Sequence, residues 1–149
     1  MSNLFNTPFE LSIRALIILD TAGNPGETAD MIAAADFITV YGKDFGMSDA
    51  NLHGDNDYKF SEFALRRELV KKAVKLLVVK DLINVSSTDN GFFYSINQKG
   101  VAYCAKFTND YALTYRRLAK KVRAYTANKS EREILGLINR QSLSSLQRS

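Results

Sequence analysis

The chain has 149 residues, 46% of them hydrophobic, and a net charge of +4, so one domain is the default and the core can be built without staples. A single cysteine, Cys104, excludes an intramolecular disulfide framework, and a single histidine leaves little for a metal site. No basic N-terminal region precedes an apolar stretch, and the apolar runs fall short of the ~20 residues a spanning helix needs; a cytoplasmic protein with no membrane partner is expected.

Asn6-Thr7-Pro8 reads as a helix start, with Thr7 at the cap and Pro8 at the first helical position. Leu11, Ala15, Ile18 and Leu19 form one apolar stripe that Ile13, Leu16 and Ile17 widen, so this helix is expected to be buried over most of its circumference. Gly23-Asn24-Pro25-Gly26 stops it. A second helix is predicted from about Glu27 to Tyr41, with Met31, Ala34, Ala35, Ile38 and Val40 towards the core. Gly42 is assigned as its C-cap, where glycine accepts a positive φ at no cost.

A polar loop follows from Tyr41 to Asp57, longer than most connections inside a compact domain and therefore a candidate for function. Ser61-Glu62 opens a third helix whose inner face carries Phe63, Leu69, Val70, Ala73, Val74 and Leu77. Another face carries Arg67, Lys71 and Lys75 at intervals of four, backed by Arg66 and Lys72. Leu82–Ser86 and Phe92–Ile96 read as two strands joined by a turn at Thr88-Asp89-Asn90-Gly91, with Asn-Gly between β-formers as the hairpin signal. From Gln98 one long helix is predicted to about Thr126, roughly 40 Å at 1.5 Å per residue. Its seam is Cys104, Phe107, Tyr111, Leu118, Val122 and Tyr125. Ser130 with Glu133 forms a capping box for a last helix.

Helix, helix, loop, basic helix and hairpin is the order of a winged-helix module. The expected fold is mainly α with a small β-hairpin (α+β). It comprises a winged-helix-like domain over residues 1–98 and a C-terminal helical extension over 99–149, packing on that domain or on a partner.

Catalytic motifs are absent from the pattern. Asp49-x-Asn51-x-His53-Gly54 imitates the start of an EF-hand loop, but the twelfth place is Phe60 where a bidentate Glu is needed. A triad would have to recruit His53 without a nucleophile elbow, and no Gly-rich phosphate cradle with Lys-Ser/Thr occurs. No enzyme, no cofactor and no metal are expected.

Binding is better represented. Residues 1–60 carry three bases and nine acids, whereas residues 61–149 carry 17 bases and seven acids. Such asymmetry points to two faces and two kinds of partner. Arg66, Arg67, Lys71, Lys72 and Lys75 could neutralise phosphates of double-stranded DNA. Lysine dominates that helix beyond Arg67 and the wing tip carries Asp89, so non-specific contact is favoured over base reading. The alternative is a solvated lysine-rich face. Tyr103, Tyr111, Tyr115, Tyr125, Arg116, Arg117 and Arg123 supply side chains common at protein interfaces.

Several separated segments carry a resemblance. They are Phe5-Asn6-Thr7-Pro8-Phe9-Glu10, Tyr41-Gly42-Lys43-Asp44-Phe45-Gly46, Asn51-Leu52-His53-Gly54-Asp55-Asn56, Phe60-Ser61-Glu62-Phe63 with Arg66-Arg67-Glu68-Leu69-Val70, and Lys129-Ser130-Glu131-Arg132-Glu133. Together they resemble the middle component of bacterial ABC-three-component systems, in the middle component 2 class, over almost the whole chain. The resemblance implies a small winged-helix-like accessory protein encoded beside an SMC-like ABC ATPase and an effector, often a nuclease. Systems of this kind include Lamassu-type defence against phages and plasmids. The middle component would be an adaptor, leaving ATP hydrolysis and DNA cleavage to its partners. The loop matches best, which places the expected partner-binding surface on Tyr41, Gly42, Lys43, Asp44, Phe45, Asn51, Leu52, His53 and Asp55. A free-standing winged-helix transcriptional regulator is the alternative.

Overall fold

The computed structural model describes residues 7–54 and 62–148. Six helices and one hairpin follow in the order α1 (Pro8–Ala22), α2 (Ala29–Val40), a 3-10 turn (Gly42–Phe45), α3 (Phe63–Val79), β1 (Ile83–Thr88), β2 (Gly91–Ile96), α4 (Gln98–Cys104), α5 (Asp110–Thr126) and α6 (Glu131–Arg148). The fold is mainly helical with a two-stranded antiparallel hairpin. No described helix is long and apolar enough to cross a membrane.

Side-chain caps set most of the helix starts. Thr7 Oγ1 accepts from Glu10 N at 3.2 Å with Pro8 opening α1, and Thr28 Oγ1 accepts from Met31 N at 3.1 Å to open α2. Asn97 does the same for α4 at 2.8 Å. Ser130 and Glu133 bond each other's backbone N–H at 3.0 and 3.1 Å, the reciprocal box expected for α6. Each such cap is worth about 1 kcal/mol.

α3 and α5 each pack against both α1 and α2, and α6 lies against α2. Leu11, Ala15, Leu16, Ile17, Ile18 and Leu19 of α1 are all buried, as the wide apolar stripe requires. One hydrophobic cluster joins them to Phe37 and Ile38 of α2, Val70 and Leu77 of α3, Tyr115 and Val122 of α5, and Ile134 and Ile138 of α6. Residues on both sides of position 98 therefore share one core.

Two local expectations need correction. The predicted 98–126 helix is two helices, because Asn109 caps α5 by accepting from Ala112 N at 2.8 Å. The chain turns beforehand, with Lys106 N bonded to Tyr103 O and Phe107 N to Cys104 O, both at 3.2 Å. Gly42 is not the C-cap of α2; Tyr41 is, and its N–H bonds Phe37 O. A Cβ at Gly42 would stand 2.8 Å from Ser48 Oγ, so close packing explains the glycine there, and the positive φ falls at Gly46 instead. The hairpin turn lies where the sequence places it, with Thr88 paired to Gly91 across Asp89-Asn90 and Gly91 at a φ of 104°.

The hairpin leans on the helices from its base. Ile83 pairs with Ile96, and Ile83 is buried. With a two-residue period, Ile83, Val85, Phe92, Tyr94 and Ile96 share one face. That face emerges from the core towards the tip, where Phe92 is 59% exposed. Glu27 extends the sheet by one pair: its N–H bonds Tyr94 O at 2.9 Å, and Tyr94 N–H bonds Glu27 O at 2.8 Å.

Candidate functional site

Four helices meet at one carboxylate. Asp36 of α2 is 1% exposed and accepts from Arg14 of α1 through Nε at 2.8 Å and through its second terminal nitrogen at 3.0 Å. Arg66 of α3 donates at 2.6 Å, and the Tyr115 hydroxyl of α5 donates at 2.5 Å. Arg14 and Arg66 are themselves 2% and 3% exposed. The Arg66 guanidinium also lies 5.7 Å from the centroid of Phe37 and 5.9 Å from that of Tyr41.

Burial alone would push the Asp36 carboxyl up, but Arg14, Arg66 and the donated hydrogen bonds outweigh it and hold the group well below the carboxylate range. Tyr115 moves upward, first from burial and then from the adjacent Asp36 charge. The cluster is therefore ionised at Asp36 and neutral at Tyr115, with every oxygen of the carboxylate bonded. It locks helices together rather than offering a reactive group.

The loop after α2 hangs from this cluster. Tyr41 and Gly42 are buried, Leu52 N bonds Val40 O at 2.8 Å, and Lys43 N bonds Asn51 Oδ1 at 3.0 Å. Phe45 and Leu52 pack against the core, whereas Lys43 is exposed and Asp44 partly so. His53 Nε2 hydrogen-bonds the Tyr111 hydroxyl of α5 at 2.5 Å, with the rings stacked at 5.7 Å. From α5, Lys121 Nζ donates to Met47 O at 2.8 Å. The structure thus brings Tyr41–Phe45 and Asn51–His53 into one folded unit docked on α5. Asp55 lies outside the described residues.

Burial, then Arg14 and Arg66, push the His53 imidazole down to about 3, against the opposing pull of Asp36. An unfolded histidine titrates near ~6.5, so the unfolded chain binds the extra proton throughout the window between that value and about 3. Stability carried by neutral His53 is complete above ~6.5 and declines as pH falls through this window. His53→Gln is expected to remove a slope on the order of 1 kcal/mol per pH unit from denaturant-derived stabilities there. Identical slopes in the two proteins would contradict it.

The basic helix needs a correction. Arg66, expected in the phosphate-facing row, lies in the core on Asp36 and cannot reach a ligand outside. Arg67 is held by Asp30 through two bonds of 3.1 and 2.9 Å, and Lys71 pairs with Glu68 at 3.1 Å. Lys72 and Lys75 are exposed and paired with no described acid. Cys104 is buried, receives a hydrogen bond from Arg116 at 3.0 Å, and burial raises its thiol pKa.

Sequence reading missed Asp36 and Arg14. Arg14 lies between Ile13 and Ala15 in the middle of α1, and Asp36 between Ala35 and Phe37 in α2; opposite charges set within apolar runs are the signal that could have paired them.

A family model described as ABC-three component (ABC-3C) system Middle Component 2 matches residues 4–148. No curated protein and no solved structure matches the chain. With that match spanning nearly every residue, the chain belongs to the middle component 2 family of ABC-three-component systems, and its role is that of an accessory component that works with the other members of such a system.

Proposed function

We propose that the chain is a non-enzymatic adaptor, winged-helix-like in its first half. It joins an SMC-like ABC ATPase to a nuclease-type effector in a cytoplasmic antiphage or antiplasmid defence complex of the Lamassu kind. The observation that carries this reading is the family match over residues 4–148. The chemistry of the interior agrees with it. Asp36 is spent on two arginines and a tyrosine, burial keeps Cys104 a thiol, and His53 is neutral in a stacked contact. These groups hold helices and a loop in place, so surfaces carry the function.

Lys72 and Lys75 on α3 supply a second, weaker contact, to the backbone of non-specific double-stranded DNA held by the complex. Co-expression with the two other components, followed by size exclusion, tests the adaptor reading. The chain is expected to elute with both partners in one high-mass peak. Elution of the chain alone, with the partners elsewhere, contradicts it.

A further inference from the structure

An exposed cationic stripe lies on α5, and the docked loop borders it through the bond from Lys121 to Met47. Asp110 to Ser130 holds six bases and one acid, the exposed Asp110 that opens α5. Two of those bases are neutralised from behind: Arg116 by Asp20 at 2.6 Å and Arg123 by Glu27 at 3.1 Å. Leu113, Arg117, Lys120, Lys121 and Ala124 are exposed and fall on one stripe at spacings of three and four. Arg117 and Lys120 form no ion pair with a described acid, and Lys121 spends its ammonium on the loop carbonyl of Met47. Leu113, at 50% exposure, lies next to Arg117 on this stripe.

On α3, Arg66, Arg67 and Lys71 are answered by Asp36, Asp30 and Glu68, which leaves Lys72 and Lys75 exposed there as Arg117 and Lys120 are on α5; only α5 carries the docked loop beside its exposed cations. Bonds from His53 to Tyr111 and from Lys121 to Met47 fix the loop to α5 at two points, so the two present themselves together.

We infer that the outer face of α5, together with the loop docked on it, is the surface that receives another protein component of the system, through an acidic patch bearing an apolar side chain that covers Leu113. Charge complementarity selects the acidic character. The exposed leucine beside the cations favours a protein over a phosphate backbone, which has no apolar group to place there. This inference rests on the adaptor reading and specifies the surface it uses.

The test compares three full-length proteins: wild type, Arg117→Glu/Lys120→Glu on α5, and Lys72→Glu/Lys75→Glu on α3. Both variants make the same change in net charge at exposed positions, and melting curves check that each is folded. Each of the two other components, purified separately, is titrated with the three proteins from low to high salt, and a DNA duplex is titrated in parallel. The α5 variant is expected to bind one protein component at least tenfold more weakly and to lose most of its salt dependence. The α3 variant should stay within about twofold of wild type for the protein components. Wild-type binding by the α5 variant, or equal losses in both variants, overturns the inference and leaves the adaptor reading standing. Loss of duplex binding with retention of both protein components also overturns it, because the face would then be a phosphate surface. If wild type binds neither component, the adaptor reading falls and takes this inference with it.

Discussion

Asp36→Ala is expected to destabilise the protein by about 3–5 kcal/mol, the range for removing one partner of a buried ion pair. The cost comes from what remains. Arg14 and Arg66 would stay in the interior, 2% and 3% exposed, with no counter-charge between them. Tyr115 would lose the acceptor for a hydroxyl that is itself fully enclosed. Because α1, α2, α3 and α5 all converge there, loosening should register as global unfolding rather than local fraying. Denaturant titration checks it, and a loss below about 1 kcal/mol would contradict this reading of the cluster. A companion variant separates charge from packing. Arg14→Met, Asp36→Leu, Arg66→Met and Tyr115→Phe together should be far less damaging, since an apolar replacement of a buried ionic group leaves nothing uncompensated. The pH dependence has a sign as well. Asp36 is held below its unfolded pKa, so its contribution is present above ~3.9 and is lost only as pH falls further, through the folded value.

Gly26→Ala is expected to cost on the order of 3 kcal/mol or more and to release the hairpin from the helices. Gly26 has a φ of 99°, and a Cβ built there would stand 2.0 Å from Tyr94 O and 2.7 Å from Tyr94 C. Those atoms are backbone and cannot rotate aside. The two hydrogen bonds between Glu27 and Tyr94 that attach β2 to the α1–α2 connection would have to open. Gly46→Ala is the control for conformational strain alone: its φ is 75°, yet nothing lies within 4 Å of the added atom. Amide exchange at Tyr94 should rise in the Gly26 variant and stay slow in the Gly46 variant. Equal stabilities for the two would contradict the steric argument.

Helix ends were legible wherever a cap has a short sequence signature. Thr7-Pro8 and the Ser130–Glu133 box lie where the sequence reading puts them, because each is decided by residues within one turn. Thr108-Asn109-Asp110 carries the same kind of signature, and it breaks the seam read as one continuous helix. There the apolar period outweighed a cap that was in plain view.

The charge cluster was harder for a different reason. Arg66 and Arg67 are neighbours in sequence but point about 100° apart on a helix. Arg66 belongs to the stripe continued by Val70, Ala73 and Leu77, which is the buried face, so the rotation of α3 was encoded although the type of residue pointed outward. Asp36 and Arg14 are 22 positions apart, and pairing them depends on how α1 and α2 pack. The docked loop was found as a loop, but its attachment through His53 to Tyr111 spans 58 positions and has no local trace.

Membership of a three-component family gives this chain an accessory role, and omission of the chain is the most direct measurement of the proposed adaptor function. The two other components of the system can be co-expressed with and without it, and the mass of the resulting assembly measured. An assembly containing both partners only when this chain is present is the expected result. The same assembly, at the same yield, in its absence would contradict an adaptor that joins them.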